Sequence, residues 1–144
     1  MSATQPAIDV IPPGGSWLED LGLCLDEVTG SQMLAHIDLG PRHRTPWGVV
    51  HGGVYATIVE SVGSIGASVA VREQGQFAVG VHNATDFVRS MTGGRVDVVG
   101  TPIQQGRVQQ LWEITVTRAD DGKLVAQGRL RLQNVPLPAS AEPA

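Results

Sequence analysis

Residues 51–72 constrain the fold more than any other stretch, because they are the only long helical candidate in the chain. Their apolar side chains recur at steps of three and four, the period of one helix face. The opposite face carries small side chains where a solvent-facing helix would carry lysine, arginine or glutamine, and Glu60 is the only charged residue between His51 and Arg72. We therefore predict a helix buried on both sides, against a sheet on one side and a partner chain or substrate tunnel on the other. The predicted sheet side comprises Ile58, Val62, Ile65 and Val69, and the second side comprises Gly53, Ala56, Glu60, Gly63, Ser64 and Ala67.

Shorter apolar segments on either side of this helix predict strands. Two of them, 21–28 and 33–39, are separated by Thr29-Gly30-Ser31 and predict a β-hairpin. After the helix, glycine-containing turns divide the chain into three or four further strands. Alternation in the last strand puts Leu124 and Ala126 on its inner face and Val125 on its outer face. This order predicts an α+β fold, in which a curved antiparallel sheet wraps around one long central helix.

Proline-rich segments bound the part of the chain that is predicted to fold. Residues 1–14 and residues 135–144 contain three prolines each, a composition that opposes both helix and sheet. We predict a flexible N-terminal tail at 1–14, one domain at 15–134 and a flexible C-terminal tail at 135–144.

Composition argues against several classes of function. The net charge of −4 and the lack of a basic stripe argue against nucleic-acid binding. The N-terminal sequence does not resemble a signal peptide, and no uninterrupted apolar run approaches the ~18 residues of a membrane span, so we expect a cytoplasmic protein. With one cysteine, Cys24, and no histidines at ligand spacing on one element, we expect no metal site.

Glu60 and the start of the helix supply the elements of a hydrolytic site. Removing water from around a carboxylate makes it a stronger base and nucleophile, although a salt-bridged structural glutamate is the alternative interpretation. His51-Gly52-Gly53 places flexible backbone at the first helical turn, where amides lack intrahelical partners and the helix dipole is positive. Glycine lets a carbonyl oxygen approach such an amide closely and so forms an oxyanion site, although an ordinary helix start is the competing interpretation.

The spacing of these two elements predicts a dimer. Glu60 lies nine residues beyond His51, which is ~13 Å along the helix axis and about half a turn around it. One chain therefore cannot bring its own Gly52 amide and its own Glu60 to a single carbonyl group. Two antiparallel helices related by a twofold axis can do so twice, so we predict two shared sites. Ser64 lies four residues after Glu60 on the same face, where it could hold the attacking water or the carboxylate.

The same residues resemble a known family. The segment GVVHGGVY at 48–55, followed by Glu60-Ser61-Val62-Gly63-Ser64, resembles the PaaI-type hotdog thioesterases. The resemblance is closest to the branch that includes the 4-hydroxybenzoyl-CoA and 1,4-dihydroxy-2-naphthoyl-CoA thioesterases. Residues 79–90 and 109–112 resemble strands that follow the helix in that branch, and the similarity covers about residues 18–134.

The resemblance implies that the protein hydrolyses an aryl- or fatty-acyl-CoA thioester without a metal or cofactor. It implies homodimers with shared sites that pair into homotetramers. The acid that matches Glu60 would attack the carbonyl carbon or activate water, and the partner's amide that matches Gly52 would bind the carbonyl oxygen. The histidine that matches His51 would fix this end of the site, and the residue that matches Ser64 would orient water or substrate.

Four further positions are candidates for substrate contacts. By the resemblance, Arg89 and Ser90 match positions near the pantetheine and nucleotide of CoA. Asn83 lies where the alternation of its strand breaks down, so it either lines the tunnel or marks a β-bulge. Thr45 departs from the family pattern, because members of this branch often carry a glutamine there that holds the leaving group or the acyl part.

Two other functions remain open on the same fold. A non-catalytic acyl-CoA-binding protein would use the same cleft without hydrolysis. A hotdog hydratase would need an aspartate and a histidine within one site, and the nine-residue spacing here does not supply that pair.

Overall fold

The computed structural model describes residues 17–138, in which two α-helices and six strands form one α+β unit. Short 3₁₀ turns at Pro41–His43 and Arg72–Gln74 flank the long helix. In chain order the elements are α1 (Trp17–Leu21), β1 (Cys24–Val28), β2 (Met33–Leu39), α2 (Gly52–Val71), β3 (Gln76–Phe87), β4 (Gly94–Gln105), β5 (Gln109–Arg118) and β6 (Leu124–Pro136).

The strands form one antiparallel sheet in the order β1-β2-β4-β5-β6-β3, and α2 packs against it. The prediction of a hotdog fold, with an antiparallel sheet around one central helix, is therefore confirmed. Strand β3 pairs with β6 and not with β4, so the chain crosses the sheet between β3 and β4. This crossing leaves β3 at one edge of the sheet, directly beside α2, with which it makes extensive contact.

The sheet covers more of α2 than the sequence predicts. Ile58 and Val62 are fully buried as expected, but Gly63 and Ala67 are buried as well, so their assignment to the second face is wrong. A β-carbon on Gly63 would lie 2.7 Å from the Leu130 Cδ2 atom. Because the sheet curves around the helix, the buried arc exceeds half of the helix circumference, and small residues bring helix and sheet close together.

Together with the 3₁₀ turn that follows it, α2 forms a segment, Gly52–Gln74, with a mean hydropathy of 1.5. Its length and average composition would suffice for a membrane span, although Glu60 and several glycines interrupt its apolar run as the sequence indicates. Core helices of globular proteins meet the same criterion, and here the helix packs against the sheet along its length.

The last strand extends two residues into segment 135–144, whose composition was predicted to oppose both helix and sheet. Strand β6 continues to Pro136, and Val135 and Pro136 pair with Phe77 and Gln76. Proline is tolerated there because it is the last residue of the strand. Residues 1–16 and 139–144, which include the predicted N-terminal tail, lie outside the described residues.

A β-bulge near the start of β6 changes which side chains face the core. Val116 pairs with Ala126 and Thr117 pairs with Leu124, so Val125 has no opposite residue. Val125 and Ala126 are both fully buried, whereas Leu124 is only half-buried. The predicted inner position of Leu124 and outer position of Val125 are therefore wrong, because strict alternation fails at a bulge.

Candidate functional site

His51 caps the N-terminus of α2. Its backbone is extended, with φ −67° and ψ 131°, and its side-chain Nδ1 atom accepts a hydrogen bond of 2.8 Å from the Gly53 N–H. The N–H of Gly52, the first helical residue, is one of the amides that an α-helix cannot pair with its own carbonyls. His51 therefore satisfies one neighbouring amide and leaves the Gly52 amide at the positive end of the helix dipole.

The loop before α2 is fixed by a buried histidine. His43 donates from Nε2 to the Leu21 carbonyl at 2.7 Å and accepts at Nδ1 from the Gly40 N–H at 3.0 Å. These two backbone partners assign the neutral tautomer with the proton on Nε2. The His43 carbonyl then accepts from the His51 N–H at 2.8 Å, so this network sets the position of the helix start.

Glu60 lies half-buried on the side of α2 that faces β3. Its carboxylate accepts long hydrogen bonds from neutral donors, namely the Ser64 hydroxyl at 3.4 Å and the Asn83 amide at 3.5 Å. Within residues 17–138, no basic side chain forms an ion pair with Glu60. The structural alternative, a salt-bridged glutamate, therefore has no support in the described part of the chain.

Gly80, which was not among the predicted site residues, leaves space for the Glu60 carboxylate. A β-carbon there would lie 3.0 Å from Glu60 Cδ and would overlap with Oε2. The pairing of β3 with β6 shifts register between Gly80 and His82, which marks a β-bulge. The available signal was a glycine inside a predicted strand, which often marks a bulge or a close approach.

A concave pocket of about 520 Å³ lies along α2 beside Glu60. Two of its walls are aromatic side chains that remain more than half exposed, Trp17 at 61% and Phe87 at 58%. The Phe87 ring also packs over Gly52, where a β-carbon would lie 2.8 Å from its Cε2 atom. The lining residues are Trp17, Ala56, Thr57, Glu60, Ser61, Asn83, Thr85 and Phe87.

The predicted site residues fall into separate groups. Glu60, Ser64 and Asn83 come together beside the pocket. His51 and Gly52 lie at the helix start, and eight residues of uninterrupted helix, or about 12 Å along the axis, separate Gly52 from Glu60. Within one chain, the Glu60 carboxylate and the Gly52 amide are therefore too far apart to contact the same carbonyl group.

The other candidates for substrate contacts do not line this pocket. The Thr45 hydroxyl accepts from the Trp47 N–H at 3.3 Å, so it is engaged within its own loop. The exposed Arg89 side chain donates to the Leu124 carbonyl at 2.7 Å, and Ser90 is exposed beyond the end of β3. Among the described residues, no group of three or more His, Cys, Asp or Glu side chains is arranged to hold a metal ion.

Comparison with known proteins supplies independent information on the family of this chain. A sequence model described as "Thioesterase superfamily" matches residues 48–125, more than half of the chain. The chain is 42% identical over 118 residues to the "Putative esterase Rv1847" of Mycobacterium tuberculosis, covering 81% of this chain and 84% of that protein. The solved structure of Rv1847/MT1895 superposes with a TM-score of 0.82 at 40% identity, over 86% of this chain and 99% of that one.

Two further relatives carry thioesterase in their names. The structure of thioesterase HI1161 from Haemophilus influenzae matches with a TM-score of 0.77 at 30% identity, over 83% of this chain and 82% of that one. The proofreading thioesterase EntH of Cronobacter sakazakii is 30% identical over 102 residues, covering 71% of this chain and 74% of that protein.

Proposed function

This chain belongs to the thioesterase superfamily and is a thioester hydrolase, and we propose that it cleaves an acyl-CoA to the free acid and CoA. One observation carries the proposal. Glu60 is a half-buried carboxylate that borders a pocket, and its hydrogen-bond donors among residues 17–138 are neutral. A carboxylate in this position can attack a carbonyl carbon or accept a proton from water. The resemblance of residues 48–64 to the PaaI-type enzymes supports CoA as the thiol.

Two reaction routes are compatible with this geometry. In the first, a Glu60 oxygen attacks the thioester carbon, the C–S bond breaks, and water then hydrolyses the resulting anhydride. In the second, Glu60 takes a proton from water while the water oxygen attacks the same carbon. In both routes the CoA thiolate leaves and is protonated, and Ser64 lies within hydrogen-bond reach of the carboxylate to orient it or the water.

We propose that the oxyanion donor is the Gly52 amide of a second copy of the chain. Three observations support this. The carboxylate and the amide do not meet within one chain, and β3 lies at an edge of the sheet. Val79 and Val81 on this edge strand are 40% and 55% exposed, which leaves apolar surface for a partner to cover. A twofold axis beside β3 and α2 would form two equivalent sites, and pairing of such dimers would give the homotetramer that the family resemblance implies.

Substitution of Glu60 tests the proposed reaction. Glu60→Gln keeps the size and shape of the side chain but removes its basicity and nucleophilicity, because an amide nitrogen replaces one carboxylate oxygen. We expect release of free CoA from a panel of aryl- and fatty-acyl-CoAs to fall at least about 100-fold in kcat. Glu73→Gln, which changes an exposed glutamate in the turn after α2, is the matched control and should retain wild-type rates. If wild type cleaves no thioester, or if Glu60→Gln is as active as wild type, the proposal is wrong.

Thr45 is the observation that keeps a second candidate function, acyl-CoA binding without hydrolysis, to be tested. Where related enzymes often carry a glutamine, this chain has a hydroxyl that is engaged with its own loop. A binding protein would bind acyl-CoA in titration calorimetry without releasing thiol, and Glu60→Ala would leave its affinity unchanged. Calorimetry beside the thiol-release assay separates the two functions.

A further inference from the structure

We infer that Asn83 is a positioning residue, held by Thr85, which orients the Glu60 carboxylate for reaction. The inference rests on the proposed function of Glu60 and goes beyond it, because the sequence offered Asn83 only as a residue that lines the tunnel or marks a bulge. The Thr85 hydroxyl donates to Asn83 Oδ1 at 2.6 Å. Asn83 Nδ2 then donates to the Ala56 carbonyl at 3.0 Å and faces Glu60 Oε1 at 3.5 Å.

The orientation of the Asn83 amide is determined by its partners. The Ala56 carbonyl can only accept a hydrogen bond, so the amide atom beside it must be the nitrogen. The amide oxygen therefore faces Thr85, whose hydroxyl supplies the proton. With both ends assigned, the second Nδ2 hydrogen is directed to the carboxylate, so the asparagine bridges the helix backbone and the candidate nucleophile.

The bulge in β3 places Asn83 on this face. Ala78 and Gly80 face the helix, and strict alternation from them would turn even-numbered residues inward after Gly80. The register shift between Gly80 and His82 reverses the alternation, so Asn83, Thr85 and Phe87 line the pocket instead. A one-residue bulge thus moves an amide, a hydroxyl and an aromatic ring to the Glu60 side.

Thr85 is itself fixed by the neighbouring strand. It pairs with Gly128 of β6, where a β-carbon would lie 2.7 Å from the Thr85 hydroxyl oxygen and 2.8 Å from Val59 Cγ2. Gly128 therefore leaves room for the hydroxyl between β6 and α2. The hydrogen-bonded series Thr85–Asn83–Glu60 therefore lies entirely on regular secondary structure, with the first two residues on β3 and Glu60 on α2.

A neutral donor suits the proposed chemistry better than a cation would. An arginine or lysine would stabilise the negative charge strongly and make the carboxylate a weaker base. The Asn83 amide is neutral, so it directs one carboxylate oxygen without placing a positive charge beside it. Because Asn83 acts by directing Glu60, removal of its amide should reduce turnover without changing how tightly the substrate binds.

The test combines kcat, KM and the pH profile of acyl-CoA hydrolysis. In Asn83→Asp a carboxylate of the same shape replaces the amide beside Glu60, so like-charge repulsion should move the acid limb of the kcat profile at least one pH unit higher. Thr85→Val removes the donor that orients the amide, so kcat should fall about fivefold at an unchanged KM. Thr85→Ser keeps the hydroxyl and should restore the wild-type profile. Thr115→Val, on the outer face of β5, is the matched control and should behave as wild type.

The outcomes separate this inference from the proposed function. If Glu60→Gln is inactive but the Asn83 and Thr85 variants keep the wild-type kcat and pH profile, the positioning role is wrong while the function stands. If these variants change KM alone, Asn83 contacts substrate and the inference is overturned. If Glu60→Gln stays active, both fail. Should Asn83→Asp not fold by circular dichroism, the Thr85→Val and Thr85→Ser pair decides the question.

Discussion

Substitution of Gly80 by alanine should disable the site without unfolding the protein. An added β-carbon would lie 3.0 Å from Glu60 Cδ and would overlap with Oε2, whereas ordinary contact begins at 3.4 Å. The carboxylate must therefore retreat by about 1 Å, and such a displacement of a reacting group can lower the rate about 100-fold. This corresponds to about 2.7 kcal/mol in activation free energy. Because alanine is not worse than glycine inside a strand, the free energy of unfolding should change by less than about 1 kcal/mol.

The assay compares kcat for acyl-CoA hydrolysis with the free energy of unfolding from urea denaturation. Gly40→Ala is the matched control, because a β-carbon there meets no atom within 4 Å. In the Glu60→Gln background, Gly80→Ala should cause little further loss, since the displaced group is already inactive. A Gly80→Ala enzyme within threefold of wild type, with its fold intact, would refute the claim that close packing against Gly80 positions the carboxylate.

Two stability predictions follow from groups away from the carboxylate. Tyr55 is the only tyrosine of the chain. It is buried, and its hydroxyl has no hydrogen-bond partner in the described structure. Tyr55→Phe should therefore raise the free energy of unfolding by about 1 kcal/mol. Burial raises the pKa of Tyr55 from 10.0 to about 12, so with rising pH this tyrosine ionises first in the unfolded state. Its ionisation should therefore lower the free energy of unfolding of the wild type between pH 10 and about 12. Tyr55→Phe lacks the phenol and should lack this contribution. Denaturation at increasing pH checks both statements. Gly66→Ala should lower the free energy of unfolding by about 1–3 kcal/mol, because the new β-carbon would lie 2.6 Å from Trp112 Cη2, and an unchanged denaturation midpoint would contradict this.

The long helix and its single charge could be predicted because both signals are local. The apolar period of residues 51–72 is strong, and α2 spans Gly52–Val71 as the pattern indicates. The hairpin of β1 and β2 was predictable for the same reason. The predicted segment begins at His51, but only the structure shows that His51 caps the helix by accepting a hydrogen bond from the Gly53 N–H.

The second face of the helix was predicted less well because its limits depend on the sheet. A helical wheel divides residues by angle and cannot tell how far a curved sheet reaches around the helix. Gly63 and Ala67 were therefore assigned to the wrong side, whereas Glu60 and Ser64 remained half-buried as small-face residues. The distinction lies in nonlocal contacts with residues such as Leu130, which sequence spacing does not encode.

The geometry around Asn83 could not be predicted for a related reason. Sequence alternation indicated a disturbance there but left a bulge and a tunnel position as alternatives. The structure has both, because the bulge between Gly80 and His82 turns Asn83 into the pocket. The edge position of β3 was not predicted either, because the order of strands in a sheet depends on nonlocal pairing.

The sharing of each site between two chains can be tested by deleting the Gly52 N–H. Gly52→Pro removes that donor at the first helical position, where proline is well tolerated, and the extended backbone of His51 suits a following proline. Gly52→Ala is the matched control, because it places a similar β-carbon against Phe87 and keeps the N–H. We expect Gly52→Pro to lose about 100-fold or more in kcat relative to Gly52→Ala.

The decisive measurement mixes Gly52→Pro with Glu60→Gln after subunit exchange and follows thioester hydrolysis. In a hybrid dimer, the intact Glu60 of one chain faces the intact Gly52 amide of the other, so one of its two sites is complete. With equal amounts and random exchange, half of the dimers are hybrids, and activity should recover to about one quarter of wild type. If the mixture stays as inactive as its two components while exchange is complete, the carboxylate and the amide do not act across a subunit boundary.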